Sequence, residues 1–212
     1  MKLKVGVVDF GMGNIQSVIN GFEAIGKEVK KISSPSELSD IHGIVLPGVG
    51  AFAQGMESLK KLGFDESLYN EVVIKNKPFL GICLGLQLLA TSSTEHGERE
   101  GLNWISGKVE LMKVNSSNKK VRIPHIGWNN IKNLSENTFF KDIKQNPDFY
   151  FVHSYSFVPQ DKSVITSLCN HGDDFVSSIQ KDNIIATQFH PEKSQVNGLK
   201  LLKNWYEMIE NA

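Results

Sequence analysis

The fold and the chemistry of this chain are read first from Lys77–Ala90, KPFLGICLGLQLLA. Pro78 opens the stretch, and Phe79, Leu80, Gly81 and Ile82 form an apolar run of the length of a buried strand. Cys83 follows, flanked by Gly81 and Gly85. Leu84, Leu86, Leu88 and Leu89, grouped around Gln87, predict the start of a helix. Strand, glycine-flanked turn and helix make a nucleophile elbow with cysteine in the place of serine. The glycines permit a strained turn and a close approach by a substrate. A helix N-terminus adds free N–H groups and partial positive charge beside the sulfur. A thiol with the ordinary pKa of about 8.5 is only slightly ionised at neutral pH; a helix N-terminus and a neighbouring imidazolium bring reactive thiols to roughly 3.5–7.5. The bland alternative is a small buried core cysteine, and a histidine partner decides between the two.

Toward the N-terminus the chain alternates strands and helices. Leu3–Val8 is a valine-rich run ended by Asp9. A glycine loop, Phe10–Asn14, leads into a helical pattern over Ile15–Ile25, with Gly26 placed to close it. Glu28–Ile32 and Gly43–Leu46 read as further strands, the second running into Pro47-Gly48-Val49-Gly50. Ala51–Leu62 and Phe64–Asn76 read as helices on either side of Gly63. This alternation predicts an α/β fold with a doubly wound, mostly parallel central sheet covered on both faces. The opening loop lacks the third glycine of a dinucleotide fingerprint, having Gln16 there. It reads instead as a gating or partner-contacting loop, or simply as a tight turn.

Beyond Ala90 the pattern becomes strand-rich. Gly101–Val114 reads as a loop and then a strand, and Asn115–Lys120 as a solvated hairpin tip. Phe149–Val158, Ser163–Cys169, Phe175–Gln180 and Ile184–Phe189 are short strands suited to antiparallel hairpins. Gln195–Glu210 closes the chain as an amphipathic helix. No repeat or low-complexity linker divides residues 1–212, so a single domain is expected. The 23 basic and 23 acidic residues cancel, which argues against a nucleic-acid partner. Two cysteines, Cys83 and Cys169, make no disulfide framework and suit a reducing compartment. The apolar run at the N-terminus is too short for a signal peptide or a membrane span. A cytoplasmic protein with no membrane attachment is expected.

Near the C-terminus, IIATQFHPEKS runs from an apolar strand into Phe189, His190, Pro191 and Glu192. Pro191 ends the strand, leaving His190 and Glu192 where loops build sites in α/β folds. A histidine there can take a thiol proton and later donate it to a leaving amine, and a carboxylate beside it orients the ring. Cys83, His190 and Glu192 thus form a candidate set of nucleophile, base and orienter. No other histidine or cysteine lies at zinc-like spacing, so neither a metal nor another cofactor is expected. His42, His96 and His171 read as ordinary surface residues.

GICLGLQ followed by TQFHPEKS resembles the class I (triad) glutamine amidotransferases. VVDFGMGNI, LPGVGAF at 46–52, IPHIGWN at 123–129 and YFVHSY at 150–155 are similar to the glutaminase subunits of imidazole glycerol phosphate synthases, in family order. Phe10, Leu86 and Ile126 are conservative departures. The resemblance implies that Cys83 attacks the side-chain amide of glutamine, with His190 as base and Glu192 as its orienter. It implies an oxyanion hole from the N–H groups of Val49 and Leu84. It implies a glutamine pocket of Gly48, Gly50, Gln87, Glu95, Ser154 and Tyr155. It further implies ammonia transfer to a separate (β/α)8-barrel cyclase subunit, with Asn14, His125, Gly127, Trp128, Asn129 and Lys193 at the interface. Three other readings share much of this sequence: a paralogous subunit supplying ammonia for a surface-polysaccharide sugar, a catalytically silent module of the same fold, and a stand-alone hydrolase. The intact triad disfavours the silent module, and the full glutamine-pocket set disfavours the hydrolase. For Glu95 the alternative is an exposed helix-end carboxylate, and for Trp128 a core aromatic.

Overall fold

The computed structural model describes residues 3–113, 121–133 and 137–211. The expected hairpin tip at 115–120 lies outside these residues. Strands β1 (Val5–Val8), β2 (Val29–Ile32), β3 (Gly43–Gly48) and β4 (Phe79–Cys83) alternate with helices α1 (Ile15–Ala24), α2 (Phe52–Leu62) and α3 (Phe64–Leu68). A single turn, α4 (Leu84–Gln87), follows β4. Then come β5 (Ser92–Ser93), β6 (Arg99–Glu100), β7 (Gly107–Leu111), β8 (His125–Asn133), β9 (Asp148–His153), β10 (Tyr155–Pro159), β11 (Ile165–Asn170), β12 (Asp174–Lys181), β13 (Ile184–Thr187) and the closing helix α5 (Gln195–Glu210).

Nine strands form one sheet in the order β2-β1-β3-β4-β13-β12-β11-β8-β9. The half from β2 to β13 is parallel, and the half from β13 to β9 is antiparallel. A smaller sheet, β10-β7-β5-β6, stands apart from it. The chain changes sheets at Ser154, between β9 and β10.

The inner parallel strands β1, β3 and β4 are apolar because both faces are covered, whereas edge strand β2 exposes Lys30 and Lys31. Ile44, Leu46 and Phe79 point into one core with Phe52, Leu59 and Phe64. Val45, Leu80 and Ile82 point into the other with Phe22, Leu201 and Trp205. Helix α1 is capped at both ends, at its C-terminus by the expected Gly26. Asn14 Oδ1 accepts from Ser17 N–H at 3.2 Å. Gly26, at φ +74°, donates to Glu23 O, while Lys27 N–H donates to Phe22 O, closing a Schellman motif.

The predicted helix over Phe64–Asn76 is regular only to Leu68; Tyr69–Ile74 widens into a π turn. There Glu71 is buried between Lys75 and Lys77, with contacts of 2.6 Å to each ammonium. Among the described residues, no helix is long and apolar enough to cross a membrane.

Candidate active site

Parallel β3, β4 and β13 end on the same edge, and the site is assembled there. Cys83 sits at φ +54°, ψ −104°, a conformation foreign to L-residues outside sharp turns. Its neighbours must be glycine for steric reasons. A Cβ on Gly85 would lie 1.9 Å from Leu46 O, and one on Gly81 would lie 2.9 Å from Gly85 O. The elbow is thus wedged between β3 and β13.

The expected helix after Cys83 is shorter than its leucine pattern suggests. Regular α-structure stops at Gln87, and the chain turns at Leu89 and Ala90 to begin the small sheet. One turn carries little macrodipole, since that effect grows from aligned peptides. What remains is the N–H of Leu84, the first helical residue, which has no partner within the turn.

His190 is held from several sides. Its N–H donates to Tyr150 O at 2.9 Å, and its carbonyl accepts from Ser194 Oγ at 2.6 Å. Its Nδ1 lies 2.8 Å from Glu192 Oε1, and both side chains are buried. His190 Nε2 and Glu192 Oε2 are buried without a conventional hydrogen-bond partner. Burial pushes the imidazole pKa down, but the charges of Cys83 and Glu192 and their hydrogen bonding prevail and lift it to about 10. The sulfur is therefore coupled to the ring by charge and proximity, without a bond of settled geometry at Nε2. Histidine and sulfur, supplied from opposite ends of the sequence, meet at this edge.

A cleft of about 210 Å³ opens beside the sulfur. It is lined by Val49, Gly50, Leu84, Gln87, Glu95, Ser154 and Tyr155, among others. That volume is below the usual range for drug-sized ligands and suits something smaller. Gly48 packs under it: a Cβ there would lie 2.9 Å from Leu84 Cβ. Glu95 also has a structural task, because its Oε2 accepts from Phe52 N–H at 2.7 Å. Helix α2 has no side-chain cap of its own at Ala51, so Glu95 caps it from across the cleft.

Val49 departs from the expected arrangement. Its N–H donates to Met12 O at 2.5 Å, so it is not free to receive an oxyanion here. Gly50 next to it sits at φ +107°, and a Cβ there would meet Met12 Cε at 2.9 Å. The Phe10–Asn14 loop that supplies Met12 is itself anchored: Gly11 N–H donates to Asp9 Oδ1 at 3.1 Å, and Ser58 Oγ donates to Phe10 O.

The residues expected at an interface divide by strand alternation. Trp128 is 48% exposed and Ile126 61%, side by side on the outer face of β8. Trp128 meets Tyr150 edge-on at 6.2 Å, and Lys193 Nζ lies 6.0 Å from the same ring. Asn14 is exposed and caps α1, while Gly127, at φ +129°, has open space around it. His125 does not belong to that surface. It is 3% exposed, on the opposite face of the strand, stacked on Phe151 and on His171. Asn129 shares His125's face.

His125 and Asn129 extend a buried polar chain that sequence spacing does not reveal. Asn129 Nδ2 donates to Asn170 O at 2.9 Å and to His125 Nε2 at 3.2 Å. His125 Nδ1 then donates to His153 Nε2 at 3.1 Å, and His153 Nδ1 donates to Tyr155 O at 2.9 Å. The carbonyls at both ends can only accept, so both rings must be neutral. Burial and the neighbouring imidazoles agree, holding His125 down to about 3; His153, also depressed chiefly by burial, lies at about 4. His171, expected at the surface as an ordinary residue, is half-buried in this cluster, with Nε2 2.9 Å from Arg122 O.

Residues 6–209 match the family described as "Glutamine amidotransferase class-I". The chain is 44% identical over 207 residues to the "Imidazole glycerol phosphate synthase subunit HisH" of Geobacter sulfurreducens, covering 97% of this chain and 99% of that protein. It is 46% identical over 205 residues to the same-named protein of Aquifex aeolicus, covering 96% of each. Two solved structures share the fold. PurLQS from Thermotoga maritima superposes with a TM-score of 0.73 at 17% identity, covering 99% of this chain and 100% of that one. A solved glutamine amidotransferase superposes at 0.73 and 17% identity, covering 97% and 98%. With the elbow, the buried histidine–carboxylate pair and near full-length matches together, the chain belongs to the class I glutamine amidotransferases.

Proposed function

We propose that this chain is the glutaminase subunit of an imidazole glycerol phosphate synthase, an enzyme of histidine biosynthesis in the cytoplasm, folded as one domain over 1–212. The observation that carries the chemistry is His190, held at Nδ1 by Glu192 and coupled to Cys83 on its other side. Cys83 Sγ attacks the carboxamide carbon of glutamine, forming a carbon–sulfur bond as the carbonyl electrons move to oxygen. Collapse of the adduct breaks the carbon–nitrogen bond, and His190 passes its proton to the leaving nitrogen, releasing ammonia. Water then adds to the glutamyl thioester and gives a proton to His190. The carbon–sulfur bond breaks, returning glutamate and the free sulfur. No metal or other cofactor enters these steps.

Gln87, Glu95, Gly48, Gly50, Ser154 and Tyr155 hold the amino-acid end of glutamine in the cleft. Leu84 N–H is one oxyanion donor. Val49 N–H becomes the second only when the strand at 48–50 releases Met12 O. The Phe10–Asn14 loop, which supplies that carbonyl, runs directly into Asn14, one of the residues assigned to the interface. A partner seated on Asn14, Trp128 and Lys193 can therefore move the loop and free the amide, a gating step.

Ammonia is protonated in water and lost as a nucleophile, so its consumer must sit against this surface. The partner is a separate (β/α)8-barrel cyclase, making a heterodimer. It uses the ammonia to produce imidazole glycerol phosphate and an aminoimidazole carboxamide ribonucleotide. The exposed apolar pair Ile126 and Trp128 supports that contact.

The test is Cys83→Ala in the complex with the barrel partner. Glutamine-dependent synthesis is expected to vanish, while synthesis from added ammonium salt persists. Glutamine-dependent synthesis by the Cys83→Ala complex would contradict the assignment.

A further inference from the structure

Gln188 lies in the TQFHPEKS segment, between β13 and His190, and the triad does not use it. It is wholly buried and does not line the cleft. Its Nε2 lies 3.7 Å from Cys83 Sγ, within the range of an N–H···S hydrogen bond. Its backbone N–H donates to Ser177 O at 2.8 Å, fixing the residue to the neighbouring strand.

The orientation of its amide follows from its partners. Tyr155 O, a carbonyl, can only accept, and Gln87 Nε2 lies 3.0 Å from it. Gln87 therefore presents its NH₂ group here. The second hydrogen of that group points to Gln188 Oε1 at 3.1 Å. With its oxygen so occupied, Gln188 can only turn its NH₂ toward the sulfur. The same Tyr155 carbonyl receives His153 Nδ1 from the other side. The donor at the sulfur is thus set by a chain of bonds whose polarity is fixed at a backbone carbonyl.

We propose that Gln188 is a further catalytic residue, whose side-chain amide donates to the Cys83 sulfur and stabilises negative charge on it. The charge is present when the sulfur attacks and returns when the thioester breaks, so one donor serves both steps. A donor at the sulfur also compensates for the single-turn helix, which supplies little field of its own. The consequence for turnover rests on the glutaminase reading: without Gln188, kcat falls more than KM rises, because Gln188 meets the sulfur directly and the cleft only through Gln87.

The test reads the thiol itself, without substrate or partner. Gln188→Met fills the space and removes the donor. Alkylation of Cys83 by iodoacetamide is followed against pH in the full chain. Cys169, buried and with its thiol pushed up to about 12, stays silent over the working range. Removing a hydrogen bond to a charged group is expected to slow alkylation about 10-fold on the acid limb of the profile, where the ionised fraction of the thiol sets the rate. The rates of variant and wild type should converge above that limb, where the thiol is fully ionised in both. A folded variant within twofold of wild type along the acid limb overturns the proposal, as does an equal loss at every pH, which would mark a merely structural role.

If Gln188→Met does not fold, the side-chain amide resonances of Gln188 in the wild-type chain decide. They should move with the pH profile of alkylation, and resonances that stay fixed across it overturn the proposal. A chain that alkylates as expected yet does not split glutamine contradicts the proposed function and leaves this inference intact.

Discussion

The two sides of the cleft are built differently. On one side stand Cys83, His190 and Glu192, all buried. The elbow is wedged so tightly that no Cβ fits at Gly85, and His190 is pinned, its backbone by Tyr150 and Ser194 and its ring by Glu192. On the other side stands the segment 48–50 at the end of β3, with Val49 39% exposed and its N–H turned onto Met12 O. The side chains that carry the reaction are set, and one of the backbone donors that would stabilise its transition state is not. The difference teaches where control resides. Rotating a peptide in a glycine-flanked strand disturbs little packing, whereas moving a nucleophile wedged against β3 would disturb much.

The comparison breaks most severely if the rigid side is loosened. Gly85→Ala places a Cβ against Leu46 O, a backbone atom that cannot step aside. A loss of about 3 kcal/mol is expected from such overpacking, with activity gone both with and without a partner. Chemical denaturation and glutamine turnover measure the two effects. Retention of either stability or turnover would show the elbow to be less constrained than described.

On the adjustable side, Val49→Pro removes the N–H altogether. Loss of one oxyanion donor is typically worth about 10²–10³ in rate. The partner-stimulated rate should fall by that factor, toward the rate of the isolated chain. If the stimulated rate is unchanged, Val49 is not the donor that the partner supplies.

The smallest expected effect concerns the neutral pair His125 and His153. Both have folded pKa values below the ordinary 6.5. A group depressed in the folded state contributes stability that is complete above the unfolded pKa and is lost as pH falls toward the folded one. Stability should therefore decline from pH 6.5 down toward about 4 and then 3. Ring resonances of the two histidines should remain those of neutral imidazole at pH 5. His190 has the opposite sign: raised to about 10, it contributes stability that is complete below 6.5 and fades as pH climbs through 10. Thermal unfolding across pH, compared with a His153→Asn variant, separates the acid limb.

Much of this is legible in the sequence because it depends on local pattern. Apolar runs meeting Asp9, Pro47 and Cys83 mark the inner parallel strands, since burial on both faces demands unbroken apolar residues. Gly81 and Gly85 mark the elbow, because only glycine tolerates such contacts. His190 and Glu192 stand out because they follow an apolar strand that ends on the same edge as the elbow.

The rest depends on contacts remote in sequence. The bond from Val49 to Met12 joins two backbone groups, and no side chain announces it. The resemblance assigns His125 and Trp128 together to the interface, but alternation along β8 sends the two side chains to opposite faces. Glu95 as a cap for α2, and Gln188 as a donor to the sulfur, follow from packing between strands that meet only in the folded sheet. The leucines after Cys83 suggest a longer helix than forms, because they serve the core on both sides of a turn.

The central claim is that the chemistry is preset and the oxyanion donor is withheld. Glutamine turnover by the isolated chain, set against turnover by the same chain with the proposed barrel partner loaded with nucleotide, tests it most directly. The account predicts weak turnover alone and a rise on the order of 10²–10³ with the partner, the worth of one oxyanion donor. Full turnover by the isolated chain, indifferent to any partner, would contradict it.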